Sequence, residues 1–418
     1  MPLNPSGFIK TLRGITPSPH YALAVSGGRD SMALVALAAK AQKLKNAPRF
    51  SVLSVNHGLR TAAADEVRQV AQICATLDLA HYTLKAKQAL PKTGVQQAAR
   101  HLRYGLMAQW CAHHKAGALV VAHHLQDQAE TILMRLAHNS GIAGLGGMTA
   151  RQTLATPYGD IILVRPFLAH AREDLEAVVR RAKLLWSDDP TNTDTQYERV
   201  RWRQLLPQLE EAGLSAQVLT ALAAQCQVVS AGVNAQAAQW LADYAAYNPY
   251  GFFEIDRPAF AIIAPSLQKR IVQGLVQWLG GGDYAPASSQ VEGLLAALDT
   301  KPPPQKLYGA MTFGGCLLRW QSRYLFIGCE AAHIDCTRDR RFTIKEKRGL
   351  TLAPLGAKGA QTLREQNISL PKIPAAYVQA LPAFFDEQGK FIACPPLEGE
   401  RALKKQINFI DVLTKNYM

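Results

Sequence analysis

The apolar positions in the first half of the chain fall into short continuous runs separated by longer alanine-rich and amphipathic stretches. Continuous runs of this length predict buried strands over 20–26, 50–56, 81–86, 118–123 and 161–165. Between them, apolar residues recurring at three- and four-residue intervals predict helices over 31–43, 64–78, 95–115, 126–138 and 171–184. Strand and helix alternating at this spacing predict an α/β fold with a doubly wound parallel sheet. From 214 to 300 the strand pattern fades and Ala, Leu, Gln and Val dominate, as in Ala235-Gln236-Ala237-Ala238-Gln239-Trp240-Leu241, which predicts a helical domain. Pro302-Pro303-Pro304 marks a stiff linker. Beyond it, Lys306–Cys329 reads as strands and turns. Asp386-Glu387-Gln388-Gly389-Lys390 reads as a hairpin turn between Phe384-Phe385 and Phe391-Ile392. The expected division is therefore 1–213, an α/β domain; 214–300, a helical substrate-binding domain; and 301–418, a small α+β domain. No internal repeat is visible.

Composition narrows the class. At 48% hydrophobic and 19% charged residues the chain reads as an ordinary globular protein. Its start has no apolar stretch of a secretory signal, and no segment approaches the roughly 18 apolar residues of a membrane span, so a cytoplasmic protein is expected. The seven cysteines (Cys74, Cys111, Cys226, Cys316, Cys329, Cys336, Cys394) are scattered, with no Cys-x-x-Cys, which fits reduced thiols better than disulfides or a zinc knuckle. The net charge of +14 predicts attraction to a polyanion, nucleic acid first. Residues 301–418 hold 18 Lys and Arg against 10 Asp and Glu. Much of that excess lies in Arg338-Asp339-Arg340-Arg341-Phe342-Thr343-Ile344-Lys345-Glu346-Lys347-Arg348, either a phosphate-contacting surface or a solvated face.

The candidate chemistry starts at Ser26-Gly27-Gly28-Arg29-Asp30-Ser31, between the first strand and the first helix of the alternating pattern. Two glycines let backbone N–H groups approach an anion, Ser31 adds a hydroxyl, and the helix N-terminus adds positive charge. The spacing is neither that of a Walker loop nor that of a dinucleotide fold. Strand–SGGxDS–helix resembles the PP-loop of the ATP pyrophosphatases. Asp30 beside a triphosphate calls for a divalent cation between the two anions. After the second strand, Asn56-His57-Gly58-Leu59-Arg60 places His57 and Arg60 at a strand end. Arg100 and Arg103 share a helix face and suit a developing negative charge, or a solvated basic face. Asp127 and Glu130, three apart at a helix start, form either a pocket for a cationic substrate or plain capping. A metal site of His123, His124 and Asp127 is disfavoured, because adjacent strand residues point to opposite faces. Asn139–Met148 is rich in glycine and reads as a mobile loop covering substrate. The segment from Trp186 through Arg199, Arg201 and Arg203 mixes carboxylates, arginines and aromatics, as an RNA contact or an interdomain connector would.

Together these motifs resemble the tRNA(Ile)-lysidine synthetase family. The resemblance runs through SGGRDS (26–31), NHGLR (56–60), ARHLRY (99–104), AHHLQDQAET (122–131), SGIAGLGGM (140–148), RPF (165–167) and DPTNTDTQYERVR (189–201). The later segments match the family's long form in layout more than in letters. Departures are Gln96 for Glu, Gln126 for Asp, His138-Asn139 for Arg-Gly, and Val200 for Asn. The resemblance implies an enzyme that adenylates the wobble cytidine of a CAU-anticodon tRNA(Ile) with ATP and then replaces AMP by L-lysine. It implies ATP contacts from Ser26, Gly27, Gly28, Arg29, Asp30, Ser31 and His57. Asp30 would hold Mg²⁺, and Arg103 would act with it in catalysis. Asp127 and Glu130 would take lysine, and Arg199, Arg201, Arg340, Arg341 and Lys345 would grip tRNA. A second copy of the chain, in a homodimer, is a further expected partner. A related tRNA thiolase would need a persulfide cysteine or a cysteine-held cluster, and no cysteine lies at a motif end. An inactive tRNA-binding relic would not need an intact Asp30 and Ser31.

Overall fold

The computed structural model describes residues 3–56, 61–85, 95–156, 159–187, 194–280, 285–299, 309–334, 350–366 and 373–397, with positions 341, 368, 370–371, 413 and 416–417. The chain divides into two compact units, Met1–Ser230 and Ala231–Met418. The first runs α1 (Pro5–Ile15), β1 (His20–Ala24), α2 (Arg29–Ala41), β2 (Arg49–Asn56), α3 (Thr61–Thr76), β3 (Ala80–Lys85), α4 (Val95–His114), β4 (Ala118–Val120), α5 (Leu125–Ala137), α6 (Ile142–Leu145), β5 (Arg151–Thr156), β6 (Gly159–Val164), α7 (Arg172–Arg181), α8 (Glu198–Glu211) and α9 (Ala216–Tyr244). Every strand and helix expected in this half is present.

Six strands of the first unit lie in the order β5-β6-β4-β1-β2-β3. All neighbours are parallel except β5, which returns antiparallel along β6. The fold class is the doubly wound α/β sheet that the alternation predicts, with one antiparallel edge. β1 and β4 are buried runs, as strands covered on both faces must be, and β6 is buried at Ile161, Leu163 and Val164. α2 is apolar on nearly every side because it is enclosed. It packs against α1 and α7, and Met32, Leu34, Val35 and Leu37 are all buried. α1 lies outside the expected elements. Asn4 accepts from the Gly7 amide at 2.8 Å and Pro5 opens the helix, a start signal legible in the letters. The chain turns from β1 to β2 on one side of the sheet and reaches β4 on the other, so the topological switch lies between β1 and β4. Ligands of such sheets bind beyond the carboxyl ends of the strands at that switch.

The second unit joins a five-stranded antiparallel sheet to a three-stranded one. The first sheet pairs β7 (Ala245–Asn248) and β8 (Phe252–Asp256) with the meander β9 (Gly309–Phe313), β10 (Cys316–Trp320) and β11 (Tyr324–Cys329). Helices α10 (Arg257–Ala261), α11 (Pro265–Gly280) and α12 (Ser288–Asp299) lie between. The second sheet holds β12 (Thr351–Pro354), β13 (Pro382–Phe385) and β14 (Phe391–Ala393), with α13 (Gly356–Glu365) and α14 (Ala375–Gln379). The hairpin at Asp386–Lys390 is present, closed by the Asp386 amide donating to Lys390 O at 3.0 Å. The stretch 214–300 is not wholly helical, because β8 pairs with β11. That pairing ties the expected helical domain and the start of the expected C-terminal domain into one sheet. The triproline lies outside the described residues.

α9 corrects a second expectation. By length and composition it could cross a membrane. Its Gln217, Gln225, Gln227, Asn234 and Gln236 break the apolar run, and its two ends join different cores. Ala216, Leu219 and Ala223 pack with α5 and α8 in the first unit, while Ala237, Trp240 and Leu241, past the boundary at Ser230, belong to the core of the second.

Candidate active site

The site is assembled from the segments that leave β1, β4 and β6 at their carboxyl ends. The turn Ser26–Gly28 leads into α2. Gly27 holds φ +90°, a conformation only glycine adopts without strain, and its carbonyl accepts from the Ser187 amide at 3.0 Å. Gly28 caps α2 without any side-chain hydrogen bond, which leaves the first-turn amides uncapped. Ser31 Oγ instead folds back, accepting from the Ser26 amide at 3.2 Å and donating to Gly28 O at 2.8 Å. This is a formed turn whose free donors suit an anion.

Asp30 stands on the first turn of α2. His124 Nε2 lies 3.6 Å from its Oδ2, and Arg172 Nε and Arg29 Nε lie 3.8 and 3.9 Å from its Oδ1. None of these is a hydrogen bond to Oδ1, which is buried and unpartnered. Burial alone would raise the carboxyl pKa. The pull of His124, Arg172 and Arg29 outweighs it and holds the group below the ordinary aspartate value. Arg29 is anchored by Glu176 of α7 at 2.5 Å. Nothing in the local sequence pattern flags Arg172 or Glu176, because they reach the loop only through the packing of α7 on α2.

α5 begins with His124 as N-cap. Its Nδ1 accepts from the Asp127 amide at 3.4 Å, and Asp127 Oδ2 accepts from the His124 amide at 3.0 Å. Asp127 is therefore a capping carboxylate, and its other oxygen faces α8. Arg199 Nη2 donates to Asp127 Oδ1 at 2.7 Å, and Arg199 Nε donates to Glu130 Oε2 at 2.5 Å. Arg203 Nε donates to Glu130 Oε1 at 2.7 Å. Glu130 is wholly buried beneath these two guanidinium groups, whose own pKa values rise because the carboxylates outweigh the cost of burial. Arg199, expected to contact RNA, is instead turned onto the acidic pair. Arg201 donates to the carbonyls of Thr195 and Gln196.

Arg100 and Arg103 flank the buried Tyr104 ring, 5.0 and 5.3 Å from its centroid. Arg165 follows β6, and its Nε donates to His123 Nδ1 at 3.1 Å. The glycine-rich loop is tethered rather than free. Arg135 donates to Gly144 O and Gly147 O, and Gln128 bonds both the amide and the carbonyl of Met148. Gln227 donates to Gly146 O at 2.5 Å. Gln128, a buried glutamine on an apolar helix face, was the legible signal. Among the described residues no group of three His, Cys, Asp or Glu could hold a metal ion, so the His123–His124–Asp127 site is not formed. His57, Arg60, Arg340 and Lys345 lie outside the described residues. Arg341 does not sit on a basic surface: it is buried and donates to Ala380 O at 2.6 Å.

The PP-loop domain family matches residues 7–209. A tRNA(Ile)-lysidine synthase from Bradyrhizobium diazoefficiens is 41% identical over 291 residues, 68% of this chain and 79% of that protein. The chain belongs to the tRNA(Ile)-lysidine synthase family. A synthase from Anaplasma marginale, 30% identical over 352 residues, spans 81% of this chain and 74% of its own length. Among solved structures, a U34-tRNA thiolase from Methanococcus maripaludis aligns with a TM-score of 0.45 at 15% identity, covering 54% of this chain and 77% of that chain. Several departures from the synthase pattern have local explanations. Asn139 stands in place of glycine at φ +51°, a left-handed position that asparagine tolerates best after glycine. His138, in place of arginine, pairs with Glu198 at 3.0 Å. Gln126 accepts from the Arg172 amide at 3.0 Å and so helps seat α7. Val200 is buried. The side chain of Gln96 lies outside the described residues.

Proposed function

We propose that the chain joins L-lysine to C2 of the wobble cytidine of a CAU-anticodon tRNA(Ile), at the expense of ATP. Kinship supports ATP-dependent lysidine formation on tRNA(Ile) by a carbon–nitrogen ligase. The observation that carries the reading is the uncapped start of α2 with Asp30 set into it. In the first step the cytosine C2 oxygen attacks the α-phosphorus of ATP and pyrophosphate leaves. In the second the lysine ε-amine attacks C2 and AMP leaves with the C–O bonding pair.

The residues divide the work. Ser26, Gly27, Gly28 and Ser31 hold the departing pyrophosphate through backbone amides and hydroxyls. Arg29 and His57 complete the ATP contacts. The unpartnered, buried Asp30 Oδ1 fits a cation, so Asp30 is the residue that would hold Mg²⁺. When bound, that ion would offset the charge of the triphosphate. Arg103 stabilises charge on the phosphoryl oxygens. Lysine is the cationic substrate, and Asp127 and Glu130 are the acidic pair that suits it. Both are occupied by guanidinium groups. Arg199, the more exposed of the two arginines, spans both carboxylates and is the group that the incoming ammonium replaces. Arg201, Arg340 and Lys345 would contact tRNA phosphates. ATP, lysine and tRNA meet in the cytoplasm, the location this reading carries. The homodimer is tested by sedimentation of the full chain.

The deciding assay combines ATP, radiolabelled lysine and a tRNA(Ile) transcript. Label should enter the tRNA with release of AMP and pyrophosphate, and a transcript with uridine at the wobble position should take up none. No incorporation into the CAU transcript would overturn the reading.

A further inference from the structure

His123 has no role in the lysidine-forming scheme, yet the structure spends a buried arginine on it. Its Nδ1 accepts from Arg165 Nε at 3.1 Å. A guanidinium has donors only and stays protonated, so Nδ1 must present its lone pair. The ring proton is thereby confined to Nε2. Arg165 cannot turn away: it is 3% exposed, and its other nitrogens donate to Thr149 O at 2.8 Å and Gln152 Oε1 at 2.7 Å. His123 Nε2 makes no hydrogen bond to any described residue. The charges that bear on the ring are Arg165 after β6, Arg199 on α8, and Arg100 and Arg103 on α4. Burial and these four cations keep the imidazole neutral, its pKa far below the ordinary histidine value. The acidic pair on α5 is committed to Arg199 and Arg203.

An unengaged N–H donor among cations is complementary to an oxyanion. We propose that His123 is a fixed Nε2–H donor to an oxyanion of the reacting complex, and that Arg165 is the positioning residue that locks this tautomer. The inference rests on the proposed function for the identity of that oxyanion, which is the α-phosphoryl group or the carboxylate of lysine. The tautomer itself can be read without turnover.

The test uses the full chain labelled with ¹⁵N-histidine. Two-bond ¹H–¹⁵N spectra, assigned through His123→Gln, should show ring 123 as the Nε2–H form without titration from about pH 5.5 to about pH 8.5. An Nδ1–H ring, or one that titrates in this range, overturns the proposal. Arg165→Lys, which keeps a charged donor, should preserve the tautomer, and Arg165→Gln should give a mixture. In turnover, His123→Ala should lower kcat by about 10²-fold at saturating tRNA, the usual cost of one lost oxyanion donor. His123→Gln, with an amide N–H of similar reach, should recover much of it. His123→Ala turning over within about threefold of wild type would overturn the donor role. A defect already present in pyrophosphate release without lysine assigns the phosphoryl oxyanion. A defect confined to the second step, and absent with lysinamide, assigns the carboxylate. A wild-type chain that incorporates no lysine would sink the functional reading, while the tautomer would still stand or fall by its own spectrum.

Discussion

Asp30 is a carboxylate held below its ordinary pKa at an uncapped helix start, the place proposed here for phosphates, and it carries the first prediction. Its folded pKa is depressed, so the stability it contributes is present above the ordinary aspartate pKa and is lost as pH falls through the folded value. At neutral pH it is a full negative charge with one oxygen unpartnered. Asp30→Asn should keep a cooperative unfolding transition and lower ATP-dependent turnover by about 10²-fold or more. Its stability should also decline less steeply than wild type as the solution is acidified. Pyrophosphate release and urea unfolding at several pH values check both, and near-normal turnover would remove Asp30 from the chemistry. The second prediction concerns Arg199, which donates to both carboxylates of the acidic pair. If lysine replaces it, Arg199→Ala removes a competitor. The KM for lysine should then fall severalfold while the KM for ATP stays put. A raised lysine KM would mean that Arg199 shapes the pocket instead of filling it.

Among the elements, the start of α2 is the one whose geometry is least replaceable. Gly27 adopts φ +90°, and a Cβ there would also lie 3.4 Å from Val70 Cγ2. Gly27→Ala should cost about 1–2 kcal/mol of backbone strain and raise the KM for ATP, read by chemical unfolding and by ATP titration. An unchanged KM would mean that the turn relaxes without disturbing the cradle. This turn was legible because strand, glycines, serines and aspartate all announce it locally. So were the central parallel strands β1 and β4, which are continuous apolar runs inside the sheet. β5 was not. Arg151-Gln152-Thr153-Leu154-Ala155-Thr156 carries few apolar residues, and its strand state comes from antiparallel pairing with β6. β8 was hidden for a similar reason: Phe252-Phe253-Glu254-Ile255-Asp256 lies between the short β7 and a second partner, β11, some seventy positions later. At the site, Asp127 and Glu130 were legible by spacing. Their guanidinium partners were not assigned to them, because that pairing depends on where α8 packs against α5. The glycine-rich loop shows the same limit. Its composition suggests freedom, and side chains of α5 and α9 remove it.

For the whole molecule the leading quantity is charge. A net charge of +14 favours a tRNA substrate, and the densest basic stretch was expected to grip phosphates as a block. Arg341 divides that block. It is 4% exposed and its guanidinium is spent on Ala380 O, so it braces the fold of the second unit. Arg341→Ala should therefore lower stability by about 1–3 kcal/mol, the cost of leaving a buried acceptor unpaired. It should leave the salt dependence of tRNA binding unchanged. Arg340→Ala with Lys345→Ala tests the proposal that the rest of the stretch binds phosphates. Each lost phosphate contact should reduce the slope of log affinity against log salt by about 0.7 to 0.9. The two experiments read opposite observables, urea midpoint for one and salt slope for the other, on residues that are near neighbours in sequence. A flattened slope in Arg341→Ala, with full stability, would return Arg341 to the tRNA-binding surface. An unaltered slope in the Arg340 and Lys345 double variant would make the stretch a solvated face, and the polyanion would have to be held by the arginines around the first unit's sheet.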